Sequence, residues 1–236
     1  MNEIYAKPSI KLSFALILLY LFAAIPLTIG ITYGIAILGC TFDNLKSNLS
    51  EIVILTQIGI TSILIFFLVS KYLNYFLSYG WEKDYLIYLK AGFKWAIPLL
   101  VLHVFSLLIP IIRENLIYRY ASMEIIAVKD ASKLTLFLFS AWLILGAIFE
   151  ELFFRGIIVK KLQEVASSNI SVLISASLFA LSHFVFSKIS IGSFTSSFMV
   201  GVLSGFAYTS TGSCISAILP HLLNNIICVG FVWGIR

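Results

Sequence analysis

Glu150 and Glu151 stand side by side at the end of a run, residues 134–149, that holds no Asp, Glu, Lys or Arg. On a helix turning roughly 100° per residue, Arg155 lies about 40° from Glu151 but about 140° from Glu150. Arg155 can therefore neutralise Glu151 from one turn away, whereas Glu150 needs a partner from another helix. An ionisable group at the centre of a membrane span costs about 2.5–3.5 kcal/mol on insertion scales, so it marks a pair or a function. Further along, His183 falls four residues after Phe179, and His221 falls four before Asn225, beside Pro220 and Asn224. A carboxylate withdrawn from water is a stronger base. Sharing a water with His183, Glu150 could take its proton as that water attacks a carbonyl carbon. His221 and the Asn225 amide are donors of the kind that stabilise the resulting oxyanion.

Plainer readings exist for each residue taken alone. Glu151 with Arg155 is most economically a structural ion pair holding a helix end. Phe179 reads as packing more than as substrate contact. Asn224 could simply hydrogen-bond a neighbouring helix, and His103, inside another apolar run, reads as a core histidine donating to a carbonyl. Catalysis is favoured by the joint occurrence of Glu150, His183, His221 and Asn225. No Gly-x-Ser-x-Gly is present, and no serine stands out as an activated nucleophile.

The elements that must carry these groups are membrane helices. Of 236 residues, 60% are hydrophobic and 11% charged, with a mean hydropathy of +1.03. A soluble domain carries about 25% charged residues, so an all-α, polytopic transmembrane bundle of about seven spans (six to eight) is expected. It would be a multi-pass integral membrane protein whose direct partner is the lipid bilayer. The net charge of +5 and pI near 9.1 do not point to nucleic acid, because Lys and Arg fall mostly in short connectors where they meet head groups. Cys40, Cys214 and Cys228 are odd in number and lack ligand-like spacing, which fits small buried hydrophobes.

In order, spans are expected over residues 12–38 and 52–72. Residues 79–95 mix aromatics with charges and are expected to lie at the membrane surface. A third span over 95–112 holds His103, and 113–133 is a polar loop or interfacial helix. The Glu150 helix follows over 134–159, then a fifth span over 170–186. Residues 189–235 carry no Asp, Glu, Lys or Arg. As one helix they would reach about 70 Å against a hydrocarbon core of about 30 Å. They must cross twice, and the Ser/Thr/Gly cluster at 208–213 is the expected break. Pro220 should strain the helix where His221 enters. The chain divides into variable N-terminal helices, 1–133, and a core, 134–236, within one integrated membrane domain. The Lys and Arg of alternate connectors leave orientation open.

Three spacings, Glu150-Glu151-x-x-x-Arg155, Phe179-x-x-x-His183 and His221-x-x-x-Asn225, occur in this order on separate expected spans. They resemble the three motifs of the CAAX-protease and bacteriocin-processing family, also called the Abi or type II CAAX prenyl protease family. Glu-Glu-Leu-Phe-Phe-Arg-Gly at 150–156 is close to the commonest form of the first motif, and the resemblance covers roughly residues 134–232. It implies an intramembrane endopeptidase of the glutamate type. Glu150 would be the general base, His183 would help hold the water, and His221 with Asn225 would form the oxyanion site. Glu151 and Arg155 would support the helix. Zinc is the alternative, with Glu150, His183 and His221 as ligands. Without a His-Glu-x-x-His motif, and with Asn a poor zinc ligand, neither metal nor another cofactor is expected.

The resemblance implies membrane-associated peptide or protein substrates, either CAAX-like tails or bacteriocin- and pheromone-type precursors. Short loops and an Ile-, Lys- and Asn-containing composition favour a bacterial member, which would place it in the cytoplasmic membrane. Two other readings compete. One is a non-catalytic immunity or regulatory scaffold with a membrane-protein partner. The other is a proton-coupled transporter, disfavoured because the chain shows no repeated halves with paired broken helices.

Overall fold

A computed structural model describes residues 85–108, 133–184 and 191–234. These residues are all-α, with no strand among them, and form five long helices joined where described by short turns. The expected spans over 12–38 and 52–72, and most of the polar stretch 113–133, lie outside the described residues.

Helix α1, Tyr85–Leu108, corrects one expectation. From Tyr85 to Leu108 the segment rich in charges and aromatics and the third span form one unbroken helix, so the described part of that segment does not lie apart. Its portion Tyr85–Val104, with mean hydropathy 1.4, is long and apolar enough to cross a membrane. The reason is facial. Gly92, Ala96, Leu99 and His103 repeat at spacings of four, three and four and are buried, while Lys90, Phe93, Lys94 and Ile97 point outward. Lysines whose stems run along an apolar helix and whose heads reach the interface produce the same composition as a surface-lying segment.

Helix α2, Lys133–Phe153, runs on through a π-helical turn, Phe154–Val159, and a last α-turn, Lys160–Leu162. Lys160 and Lys161 close it, Lys161 pairing with Glu164 at 2.7 Å. Helix α3, Ser168–Phe184, is followed by α4, Ile191–Thr211, and α5, Cys214–Gly234. The expected break between the last two is present. Gly212 adopts φ +73, where a side chain would be strained, and donates its N–H to the Tyr208 carbonyl at 2.6 Å, which closes α4. Ser213 Oγ then accepts the Ile215 N–H at 3.3 Å and caps α5.

Side-chain pairings fix the direction of each helix. Gly201 faces Ala176 and Gly205 faces Val172, so α3 and α4 are antiparallel. Ser216 reaches the Ala207 carbonyl at 3.0 Å, which folds α5 back on α4. His221 meets Glu150 and Glu151 while Asn225 meets Leu143, so α5 runs against α2. Gly92 faces Ser216 and Leu219 while His103 faces Asn224, so α1 runs with α5. Each successive described helix thus reverses the one before it. The buried core lies between them, built on Phe154, Ile157, Val172, Phe179 and Ala217, with Trp95 stacked on Phe206 at 5.3 Å.

Glycine sets how close α3 and α4 come. A Cβ on Gly201 would sit 2.9 Å from the Ala176 Cα, and one on Gly205 would sit 2.6 Å from Val172 Cγ1. Small residues four apart let helices approach in lipid, where packing rather than the hydrophobic effect holds them together. Gly205→Leu is expected to destabilise the protein by about 1–3 kcal/mol through overpacking. A detergent thermal melt checks this, and an unchanged midpoint would contradict the close contact.

Candidate active site

The first motif builds its ion pair within α2 and the turn after it. Arg155 Nη1 donates to Glu151 Oε1 at 2.8 Å, and both side chains are fully buried. Nη2 donates to the Gly201 carbonyl of α4 at 2.6 Å. The guanidinium also lies 5.2 Å from the Phe179 ring and 6.0 Å from that of Phe154. Arg155 therefore ties the end of α2 to α4 and to the aromatic core at once. It stands in the π-helical turn, every residue of which is buried. Ser175 Oγ donates to the Phe154 carbonyl at 3.1 Å, so α3 supplies a partner to the backbone of that turn. Widened turns of this kind recur beside functional groups.

His221 comes in from α5 and is held by the same carboxylate. Its Nδ1 lies 2.8 Å from Glu151 Oε1, and the ring is buried. A carboxylate only accepts, so Nδ1 carries the hydrogen in that bond. Nε2 is thereby turned toward Glu150, whose Oε2 lies 3.7 Å away, outside hydrogen-bond range but well within electrostatic reach. Glu150 is 13% exposed where Glu151 is 0% exposed. The partner that Glu150 needed from another helix is thus His221. Glu151 acts on two neighbours, Arg155 and His221, and so does more than close a local pair.

His183 donates from Nδ1 to the Phe179 carbonyl at 2.9 Å, one turn back along α3. That bond sets the tautomer and leaves Nε2 as the accepting nitrogen when the ring is neutral. Phe179 is 1% exposed and stands between the two imidazoles, with ring centroids 4.6 Å from His183 and 5.3 Å from His221. It also meets Phe154 edge-on at 5.1 Å. Phe179 packs as a spacer that sets where the histidines stand.

Asn225 lies one turn beyond His221 on α5, and its Nδ2 donates to the Leu143 carbonyl of α2 at 2.8 Å. Leu143 and Glu150 are seven residues apart, two turns along one face of α2. His221 and Asn225 therefore both dock on the Glu150 side of that helix. Asn224 donates to Asn225 Oδ1 at 3.1 Å and accepts from His103 Nε2 at 3.2 Å. His103 is a buried histidine donating to a carbonyl, as expected, and the carbonyl is that of the Asn224 side chain, 121 residues away on α5. Sequence reasoning overlooked Gly201 and Gly205, although their spacing of four within an apolar run is a legible signal.

Two carboxylates, the His221 imidazole and a guanidinium thus meet inside an apolar helical bundle, with the His183 ring beyond Phe179 and the Asn225 amide one turn further along α5. Among the described residues no three His, Cys, Asp or Glu side chains gather as a metal ion would require. Residues 130–227 match the family model described as type II CAAX prenyl endopeptidase Rce1-like, the family that the three motifs resemble. Members of that family are membrane proteins and proteases. No curated protein and no solved structure matches the chain.

Proposed function

We propose that the protein is an intramembrane endopeptidase of the glutamate type, acting on membrane-associated peptides or proteins from within a multi-pass bundle of about seven spans. The observation that carries this reading is the Glu151–His221–Glu150 array, in which a buried carboxylate orients an imidazole toward a second, partly accessible one. In the proposed reaction Glu150 takes a proton from a water whose other hydrogen bonds to His183 Nε2. The water oxygen attacks the scissile carbonyl carbon, and the C=O electron pair moves onto oxygen. Asn225 and His221 Nε2 donate to that oxyanion. Glu150 then passes its proton to the amide nitrogen as the C–N bond breaks, giving a carboxylic acid and an amine and restoring the carboxylate.

This scheme constrains His221. Since Nδ1 already donates to Glu151, Nε2 can donate to an oxyanion only when the ring carries both protons. The two carboxylates, the Arg155 guanidinium and that imidazolium then sum to zero charge, which suits an apolar site. Glu151 is in this scheme the positioning residue for His221, and no metal or cofactor takes part.

The experiment is cleavage of a membrane-anchored peptide library by purified protein with and without a chelator. Cleavage that survives the chelator is expected, and the preferred peptides would define the substrate. Loss with chelator would reinstate a metal. A wild type that cuts nothing would shift the reading toward a scaffold that keeps the shape of the site.

A further inference from the structure

We propose that His103 and Asn224 are positioning residues that fix the orientation of Asn225 through a hydrogen-bonded relay from α1 through α5 to α2. The proposal rests on the reading of Asn225 as an oxyanion donor. The polarity of the relay follows from its far end. A backbone carbonyl only accepts, so the group that Asn225 presents to Leu143 at 2.8 Å is its NH2. Its Oδ1 is then the atom facing Asn224, which must offer its own NH2, at 3.1 Å. Asn224 Oδ1 in turn faces His103 Nε2 at 3.2 Å, and that nitrogen must carry hydrogen. One carbonyl thus dictates the sense of both amides and the tautomer of the histidine.

Orientation matters because an amide turned by 180° keeps its shape and reverses its polarity. A flipped Asn225 would set its oxygen against the Leu143 carbonyl, and would turn an acceptor toward the position where the oxyanion needs a donor. Of the two N–H groups of Asn225, Leu143 takes one, and the second is what the oxyanion would use. Each amide in the relay holds the next against that reversal, and His103 is its member on α1. Local packing brings His103 within reach. A Cβ on Gly92 would meet the Ser216 carbonyl and Leu219 Cβ at 2.9 Å, so α1 lies close along α5. His103 follows on the same buried stripe and is 5% exposed. It lies outside residues 130–227, the part of the chain that matches the endopeptidase family.

The test compares full-length wild type with His103→Leu, Asn224→Leu, His103→Gln, Asn225→Ala and the His103→Leu/Asn225→Ala pair. Losing a whole oxyanion donor costs about 10²–10³ in kcat, and a disordered donor should cost part of that. His103→Leu and Asn224→Leu are expected to lower kcat by about tenfold or more with KM unchanged, because the oxyanion exists only in the transition state. Gln carries a terminal NH2 near the place of His Nε2, so His103→Gln should restore most of the rate. On the Asn225→Ala background, His103→Leu should cost nothing further. Equal losses on both backgrounds, or a His103→Gln variant as slow as His103→Leu, would overturn the relay and leave His103 a packing residue. If wild type cuts no peptide, the protease reading falls, and the relay is read from NMR of 15N-labelled asparagine side chains. His103→Leu must then shift the Asn225 NH2 pair, assigned by its loss in Asn225→Ala, and an unmoved pair would overturn it.

Discussion

Glu150→Gln is expected to slow peptide cleavage by about 10²–10⁴-fold, the usual contribution of a positioned general base, while the protein unfolds at its wild-type temperature. Glutamine matches glutamate in size and in hydrogen-bonding reach but cannot take up a proton from water. Little structural loss is expected, because His221 Nε2 lies at 3.7 Å and so makes no hydrogen bond that the change would remove. Side-by-side rates for purified Glu150→Gln and wild type on one peptide, with a melt of each, decide the matter. Turnover like that of wild type would remove Glu150 from the chemistry and with it the glutamate-type mechanism.

Arg155→Met is expected to destabilise the protein by about 3–5 kcal/mol, the effect of stranding a buried charge by deleting its partner. Glu151 would keep its carboxylate at 0% exposure with only His221 to answer it, and α2 would lose its bond to the Gly201 carbonyl. Adding Glu151→Met should recover much of that loss, since apolar groups of similar volume often replace a buried pair without cost. The pair is not fully satisfied in any case, because Glu151 Oε2 and Arg155 Nε find no hydrogen-bond partner among the described residues. Activity should not return with stability, because His221 has lost the acceptor that orients it. Thermal unfolding of the two single variants and the double forms a mutant cycle. An Arg155→Met melt equal to wild type would contradict the buried pair.

How much of this was legible depended on distance along the chain. The Glu151–Arg155 pair followed from helical period alone, as did the shared face of His221 and Asn225. The turn between α4 and α5 followed from a hydrocarbon thickness and a Ser/Thr/Gly cluster. That residues 85–95 continue into the third span as one helix was not legible because composition averages over both sides of a helix, and only burial separates the outward lysines from the inward Gly92 and Ala96. The π-helical turn has no composition of its own. That Glu151 would hold His221, leaving Nε2 to face Glu150, needed the rotation of α5 about its axis, which no spacing within α5 supplies. His103 was legible as a core histidine donating to a carbonyl, but that the carbonyl belongs to Asn224 depends on which face of α1 meets α5.

The internal pairing of Glu151 with Arg155 also bears on how the protein is made. Helix α2 leaves the ribosome before α5 exists, so neither Glu150 nor Glu151 can have His221 as a partner when the segment enters the membrane. One of the two charges travels already paired with a residue of its own segment, which lowers the insertion penalty below that of two unpaired carboxylates. Under the proposed mechanism the site stays incomplete until α5 arrives with His221 and Asn225. On that proposal a nascent chain carrying Glu150 is inert toward its neighbours until then, and competence comes with the last of the described helices.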